Sequence, residues 1–130
     1  MRISKMIDIW MLRWWPRYRL WRIQDAIGIR LYKWQKQFAL GKLNYIPLAR
    51  ERGGGKTTAV MVRILMIPTN NAYSWGLAGY YLHKDHDWQH DRTRWYSGEY
   101  RRLRDLCLDA GIPVLRVEIY RMIEMYEKHF

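Results

Sequence analysis

Three stretches of the chain carry residue types suited to chemistry. The first is Arg50-Glu51-Arg52-Gly53-Gly54-Gly55-Lys56-Thr57-Thr58. Three successive glycines let the backbone turn its amides toward an anion, and the apolar run after Thr58 predicts a helix whose N-terminus adds partial positive charge. Arg52, Gly53, Gly54, Gly55, Lys56 and Thr57 are thus the candidate phosphate-binding set, with a purely structural glycine turn as the alternative. The second stretch is His83-Lys84-Asp85-His86-Asp87-Trp88-Gln89-His90-Asp91. Imidazoles and carboxylates four residues apart share a helix face, so His83, His86, Asp87 and His90 are the side chains that would bind zinc or serve a magnesium-dependent nuclease. No cysteine pair accompanies them, and a polar surface loop without metal is the expectation. The third stretch, Trp14 to Arg22, interleaves tryptophans with arginines. Arginine pairs with phosphate and a flat aromatic ring offers a base a stacking platform. Arg17, Arg19, Arg22, Arg30, Lys33 and Lys36, with Trp15 and Trp21, form the candidate nucleic-acid-binding set, and Tyr18 and Tyr32 join the aromatics. A solvated basic face is the bland alternative, and a helix lying on an anionic membrane is another.

The segment Arg52-Gly53-Gly54-Gly55-Lys56-Thr57-Thr58 resembles the Walker A segment of P-loop NTPases, particularly the arginine-containing variants of phage large-terminase ATPases. The resemblance implies that Lys56 reaches the outer phosphates of a nucleotide and Thr57 holds magnesium. The chain departs from the pattern in three ways. Arg50 stands where the motif begins with glycine, Pro47 interrupts the preceding strand, and Val114-Leu115-Arg116-Val117-Glu118 is a poor Walker B strand. Seventy-four residues follow Lys56, too few for the sheet of such ATPases. The expectation is therefore no catalytic residue and no resident cofactor, with phosphate or nucleotide at the loop as the alternative. A short, basic, tryptophan-rich chain with such a fragment also resembles bacteriophage and mobile-element accessory proteins. Some of these inhibit host nuclease defences, as anti-CRISPR proteins do, which implies the host-cell cytoplasm and a guide RNA or an acidic protein surface as target.

The elements that must position these residues follow from periodicity. Ile3, Met6, Ile7, Trp10, Met11 and Trp14 repeat at helical spacing, predicting a helix over 3–15 that Pro16 ends. Leu20, Ile23, Ile27, Leu31, Trp34 and Phe38 predict one long helix over 17–40, with Arg19, Arg22, Arg30, Lys33 and Lys36 in the adjoining sector and Gly41 as its cap. Trp10, Trp14 and Trp34 are assigned to the core. Strands are expected at 44–49, 77–82 and 114–117, and helices at 56–66, from about 93 or 97 to 110, and over 120–129. The fold expected is α+β or small α/β: two N-terminal amphipathic helices packed on a small sheet with further helices. The chain reads as a single domain, 1–130, divided into a basic aromatic part (1–41) and an α/β part (42–130).

Composition narrows the partner. The net charge is +11, and residues 1–60 hold thirteen Lys/Arg against three Asp/Glu, while 61–130 hold ten against nine. So one-sided an excess suits a polyanion, and nucleic acid or a nucleoprotein is the expected partner. The single cysteine, Cys107, allows no internal disulfide and reads as a buried structural thiol. The longest apolar run, Val60 to Ile67, is broken by Arg63 and falls well short of the ~20 residues a membrane span needs. Asp8 and Trp14-Trp15-Pro16 do not fit a cleaved leader. A cytoplasmic protein with no membrane partner is the expectation.

Overall fold

The computed structural model describes residues 2–46, 55–83 and 93–129. Seven helices run through them: α1 (Arg2–Trp14), α2 (Pro16–Ile27), α3 (Lys33–Ala39), α4 (Lys56–Leu65), α5 (Ala72–Leu82), α6 (Thr93–Asp109) and α7 (Ile119–His129). No strand occurs among the described residues. The expected α+β or α/β architecture is therefore replaced by an all-helical one.

Each misread strand has a local cause. Residues 77–82 belong to α5, which starts where the Asn71 side chain accepts the Ser74 amide at 2.9 Å. Gly76, Ala78 and Gly79 are buried there, and they give α5 a flat side that lets α7 approach closely. A Cβ on Gly79 would lie 2.3 Å from the Met122 carbonyl oxygen. The segment 114–117 carries the apolar residues of a strand, but side chains meet the carbonyls of Leu115 and of Pro113 just before it. Tyr100 donates its hydroxyl to the Leu115 carbonyl at 2.9 Å, and Arg19 donates to that of Pro113. Residues 44–46 are irregular, and 47–49 lie outside the described residues.

The long helix expected over 17–40 is two helices. Gly28 adopts the left-handed conformation (φ +69°) and closes α2, and the Gln24 side-chain oxygen then accepts the Leu31 amide at 3.2 Å, holding the link to α3. Leu20, Ile23, Ile27, Leu31 and Phe38 are nonetheless all buried, because the break keeps them on the inner side.

The core centres on α4. Ala59, Val60, Met61, Val62, Ile64 and Leu65 are fully enclosed, and a helix apolar all round must be surrounded. α3 and α5 pack against it, while α1 lies on α2, α2 on α6, and α7 on both α5 and α6. Arg63, the one charge in that run, sits between the rings of Phe38 and Tyr81 (4.8 and 4.4 Å to the centroids). Its Nη1 donates to the Phe38 carbonyl at 2.6 Å, so the cation also closes the C-terminal end of α3. Cys107 is buried as expected, and burial pushes its thiol up to about 11 against the opposing pull of Arg19.

Candidate nucleic-acid interface

α1 and α2 form a tight corner at Trp15. Its amide still donates to the Met11 carbonyl, and its own carbonyl already accepts the Arg19 amide, so no loop separates the two helices. Pro16 occupies the first position of α2, where its fixed φ suits a helix start. The corner folds α1 back on α2, and Asp8 fastens it by accepting hydrogen bonds from the Tyr18 hydroxyl and Arg22 Nη1. Arg22 Nη2 reaches on to the Ala110 carbonyl at 2.7 Å, tying the corner to the end of α6. Burial pushes the Asp8 carboxyl up, but the hydrogen bonds from Arg22 and Tyr18 and the charge of Arg22 outweigh it and hold the group below its ordinary value. The hydrogen bond to Asp8 correspondingly raises Arg22.

Arg19 is an interior residue, 2% exposed. Pro16 has no amide, so the Leu12 carbonyl lacks its normal helical donor, and Arg19 Nη1 supplies one at 3.4 Å. Nη2 and Nε donate to the Leu65 carbonyl at the end of α4 (2.7 and 3.2 Å), and Nη2 also meets the carbonyls of Ile67 and Pro113. Burial lowers its pKa to about 10, so it remains a cation at neutral pH, held by carbonyl dipoles.

The basic sector read across 17–40 is thus divided. Arg19 and Arg22 hold the fold together, Arg30 is exposed in the link between α2 and α3, and Lys33 and Lys36 are exposed on α3. What the structure brings together at the surface is a different set. The rings of Trp15, Tyr18 and Trp21 follow one another along α2, with centroids 6.3 and 5.9 Å apart. Trp15 and Trp21 are more than half exposed, and Arg17 is exposed one turn before Trp21. Arg13 joins from the end of α1, its guanidinium 5.1 Å from the Trp14 ring centroid. Asp25, exposed in the last turn, marks the far end of this ridge. Tyr32 is exposed too, at the start of α3.

The charge asymmetry becomes concrete here. In the second half, Arg101 and Arg104 pair with Glu118, Arg102 with Glu99, and Arg121 and Lys128 with Glu124. Arg13, Arg17, Arg30, Lys33 and Lys36 carry no ion pair to a described carboxylate. Their field is directed at solvent.

Trp10 and Trp14 are the largest displacement from expectation. Both are 62% exposed, with Met6, Ile7 and Ile9 beside them, and among the described side chains of α1 it is Leu12 that enters the core. Met6, Ile7, Trp10 and Trp14 of the expected stripe therefore point outward, while Met11 is half-buried. Asp8 and Leu12, four residues apart, form the inner face. The legible signal was a carboxylate on α1 and Arg22 on α2, which fix facing sides once Pro16 turns the chain. Trp34, by contrast, does pack against the core.

At the glycine segment, Arg52, Gly53 and Gly54 lie outside the described residues. Gly55 takes a left-handed conformation (φ +84°) just before α4, and its carbonyl accepts Gln35 Nε2 at 2.9 Å. A Cβ at Gly55 would lie 2.2 Å from that nitrogen and displace the amide end of Gln35, and the left-handed φ itself is what favours glycine there. Lys56 and Thr57 open α4 half-buried, and the Thr57 hydroxyl lies 3.2 Å from that of Tyr96. Of the imidazole and carboxylate set, His83 is described, exposed and 4.5 Å from the Tyr126 ring, while His86, Asp87 and His90 lie outside. Among the described residues no three His, Cys, Asp or Glu side chains converge to hold a metal. Compared with protein-family models, with curated proteins and with solved structures, the chain matches none.

Proposed function

We propose that this protein is a non-catalytic nucleic-acid-binding protein that holds a single strand, alone or within a nucleoprotein, along the outer side of α2. The observation that carries this reading is the succession Trp15, Tyr18, Trp21, its two tryptophans exposed and the half-buried Tyr18 ring between them, with the exposed Arg13 and Arg17 nearby. Aromatic faces take unstacked bases regardless of sequence, and guanidinium groups that pair with no described carboxylate suit phosphates. A duplex hides its base faces, so the ridge suits a single strand. The cations of α3 extend the positive field that attracts the backbone.

Titration of a labelled single-stranded oligonucleotide, followed by anisotropy, tests the reading. Affinity should fall steeply with salt, and Arg13→Gln with Arg17→Gln should flatten that dependence by about 0.7 in the log–log slope for each phosphate no longer neutralised. Trp15→Ala and Trp21→Ala should each weaken binding by about tenfold, the lower end of what one base stack contributes, with an unchanged melting temperature. Absence of binding at low salt, or a quadruple variant that binds like the parent, would refute it.

A further inference from the structure

The outer face of α1 is not explained by nucleic-acid binding. Met6, Ile7, Trp10 and Trp14 fall within about 100° of helix circumference. Their exposures are 72%, 52%, 62% and 62%, and Ile9 beside them is 49% exposed. This is a contiguous apolar stripe on a helix anchored from its opposite side by Leu12 and by Asp8. Such a patch on a folded domain marks a surface that something covers.

We infer that α1 seats this protein on the surface of an anionic lipid bilayer, with Met6, Ile7, Trp10 and Trp14 entering the headgroup–acyl boundary. Charge complementarity selects the occupant. Arg13 is exposed at the edge of the stripe and Arg17 lies just past the corner, while the one acid of α1, Asp8, is turned inward to Arg22. The exposed rim at the C-terminal end of the patch is therefore cationic. A second copy would bring an equally basic face, on a chain of net charge +11, and be repelled. Anionic headgroups neutralise that rim, and long basic side chains reach them while the helix lies in the interface. Indole rings favour that depth, being apolar with one polar edge. With 13 residues, α1 is about 20 Å long, which suits lying along a bilayer surface and not crossing it. Periodicity assigned Trp10 and Trp14 to the core, and their exposure instead leaves the stripe open to a bilayer surface.

Flotation with vesicles of phosphatidylglycerol and phosphatidylcholine, and with phosphatidylcholine alone, is the test. The intact protein should float with the mixed vesicles and remain behind with the neutral ones. Trp10→Ala with Trp14→Ala should lower the bound fraction at limiting lipid by about tenfold or more. The helical circular dichroism and melting temperature should be those of the parent, because the substituted side chains are exposed. Met6→Ser with Ile7→Ser provides a second variant that leaves the tryptophans in place, and it should show the same loss. Both variants should still bind the single-stranded oligonucleotide, which keeps this inference separate from the ridge on α2. Failure of the parent to float, equal flotation with neutral vesicles, or variants that float like the parent would overturn it. So would a lipid-independent dimer of the parent that Trp10→Ala dissolves, since the stripe would then belong to a second copy.

Discussion

Replacing Arg19 by methionine removes a cation that serves four carbonyls, those of Leu12, Leu65, Ile67 and Pro113. A buried acceptor left without a donor costs about 1–3 kcal/mol, so four of them set a loss of roughly 4–12 kcal/mol. Two effects offset it. The descent of the Arg19 pKa to about 10 reflects a desolvation cost near 3 kcal/mol, which the methionine variant no longer carries. Water entering at the helix ends relieves some of the rest. A net destabilisation of about 3–5 kcal/mol is expected, a large share of the 5–15 kcal/mol typical of a domain. Urea unfolding at neutral pH measures it as a lower midpoint with an unchanged slope. Arg17→Met, two residues away and exposed, should change stability by no more than about 0.5 kcal/mol. Arg19→Lys should lose nearly as much as Arg19→Met, since an ammonium lacks the planar fork that spans the separated carbonyls. An Arg19→Met midpoint equal to the parent's, or equal losses for positions 17 and 19, would refute the assignment of Arg19 as the interior tie.

The Asp8 carboxyl is held below its ordinary value, so its contribution is complete above the unfolded pKa near 3.9 and disappears as the pH falls through the lower folded value. Melting curves of Asp8→Asn should accordingly lack part of the parent's acid-dependent loss and start from a lower stability at neutral pH. Gly79→Ala should force α5 and α7 apart and cost about 1–3 kcal/mol in urea unfolding, because the neighbour it meets is the Met122 backbone. Trp34→Ala, at a half-buried ring packed on the core, should lower stability by about 2 kcal/mol, whereas Trp21→Ala should leave the melting temperature unchanged and weaken oligonucleotide binding.

Periodicity read the helices at the start of the chain, at 56–66 and at both later sites, and it identified Leu20, Ile23, Ile27, Leu31 and Phe38 as core. It could not tell that Gly28 would stop α2, because an interior glycine is tolerated in a helix and the bond from Leu31 to Gln24 forms only once the chain has turned. The strands failed for a related reason. Short apolar runs such as 77–82 and 114–117 suit either a strand or any buried segment, and small residues facing α7 decided one while Tyr100 and Arg19 decided the other. For the candidate interface, the exposed Trp15, Trp21 and Arg17 were legible as lying off the apolar stripe. The orientation of α1 was not, because an amphipathic stripe says that a face is apolar and not what it meets. Arg19 looked like a surface cation, and what draws it inward is a carbonyl orphaned by Pro16 together with two others 46 and 48 residues further along and a fourth at Pro113.

The enclosure of α4 has a consequence for how the molecule opens. Its last turn is closed by Arg19 from α2, and its first turn meets Gln35 from the α3 side and Tyr96 from α6. None of α2, α3 and α6 can leave without uncovering one end of that helix. Its amides should therefore exchange with solvent deuterium only through unfolding of the whole domain, while those of α1, tied through Asp8 and, among its described side chains, the buried Leu12, should exchange through smaller openings. A surface helix that loosens at low cost on a body that does not is one able to reorient on meeting a new phase without disturbing the rest of the protein.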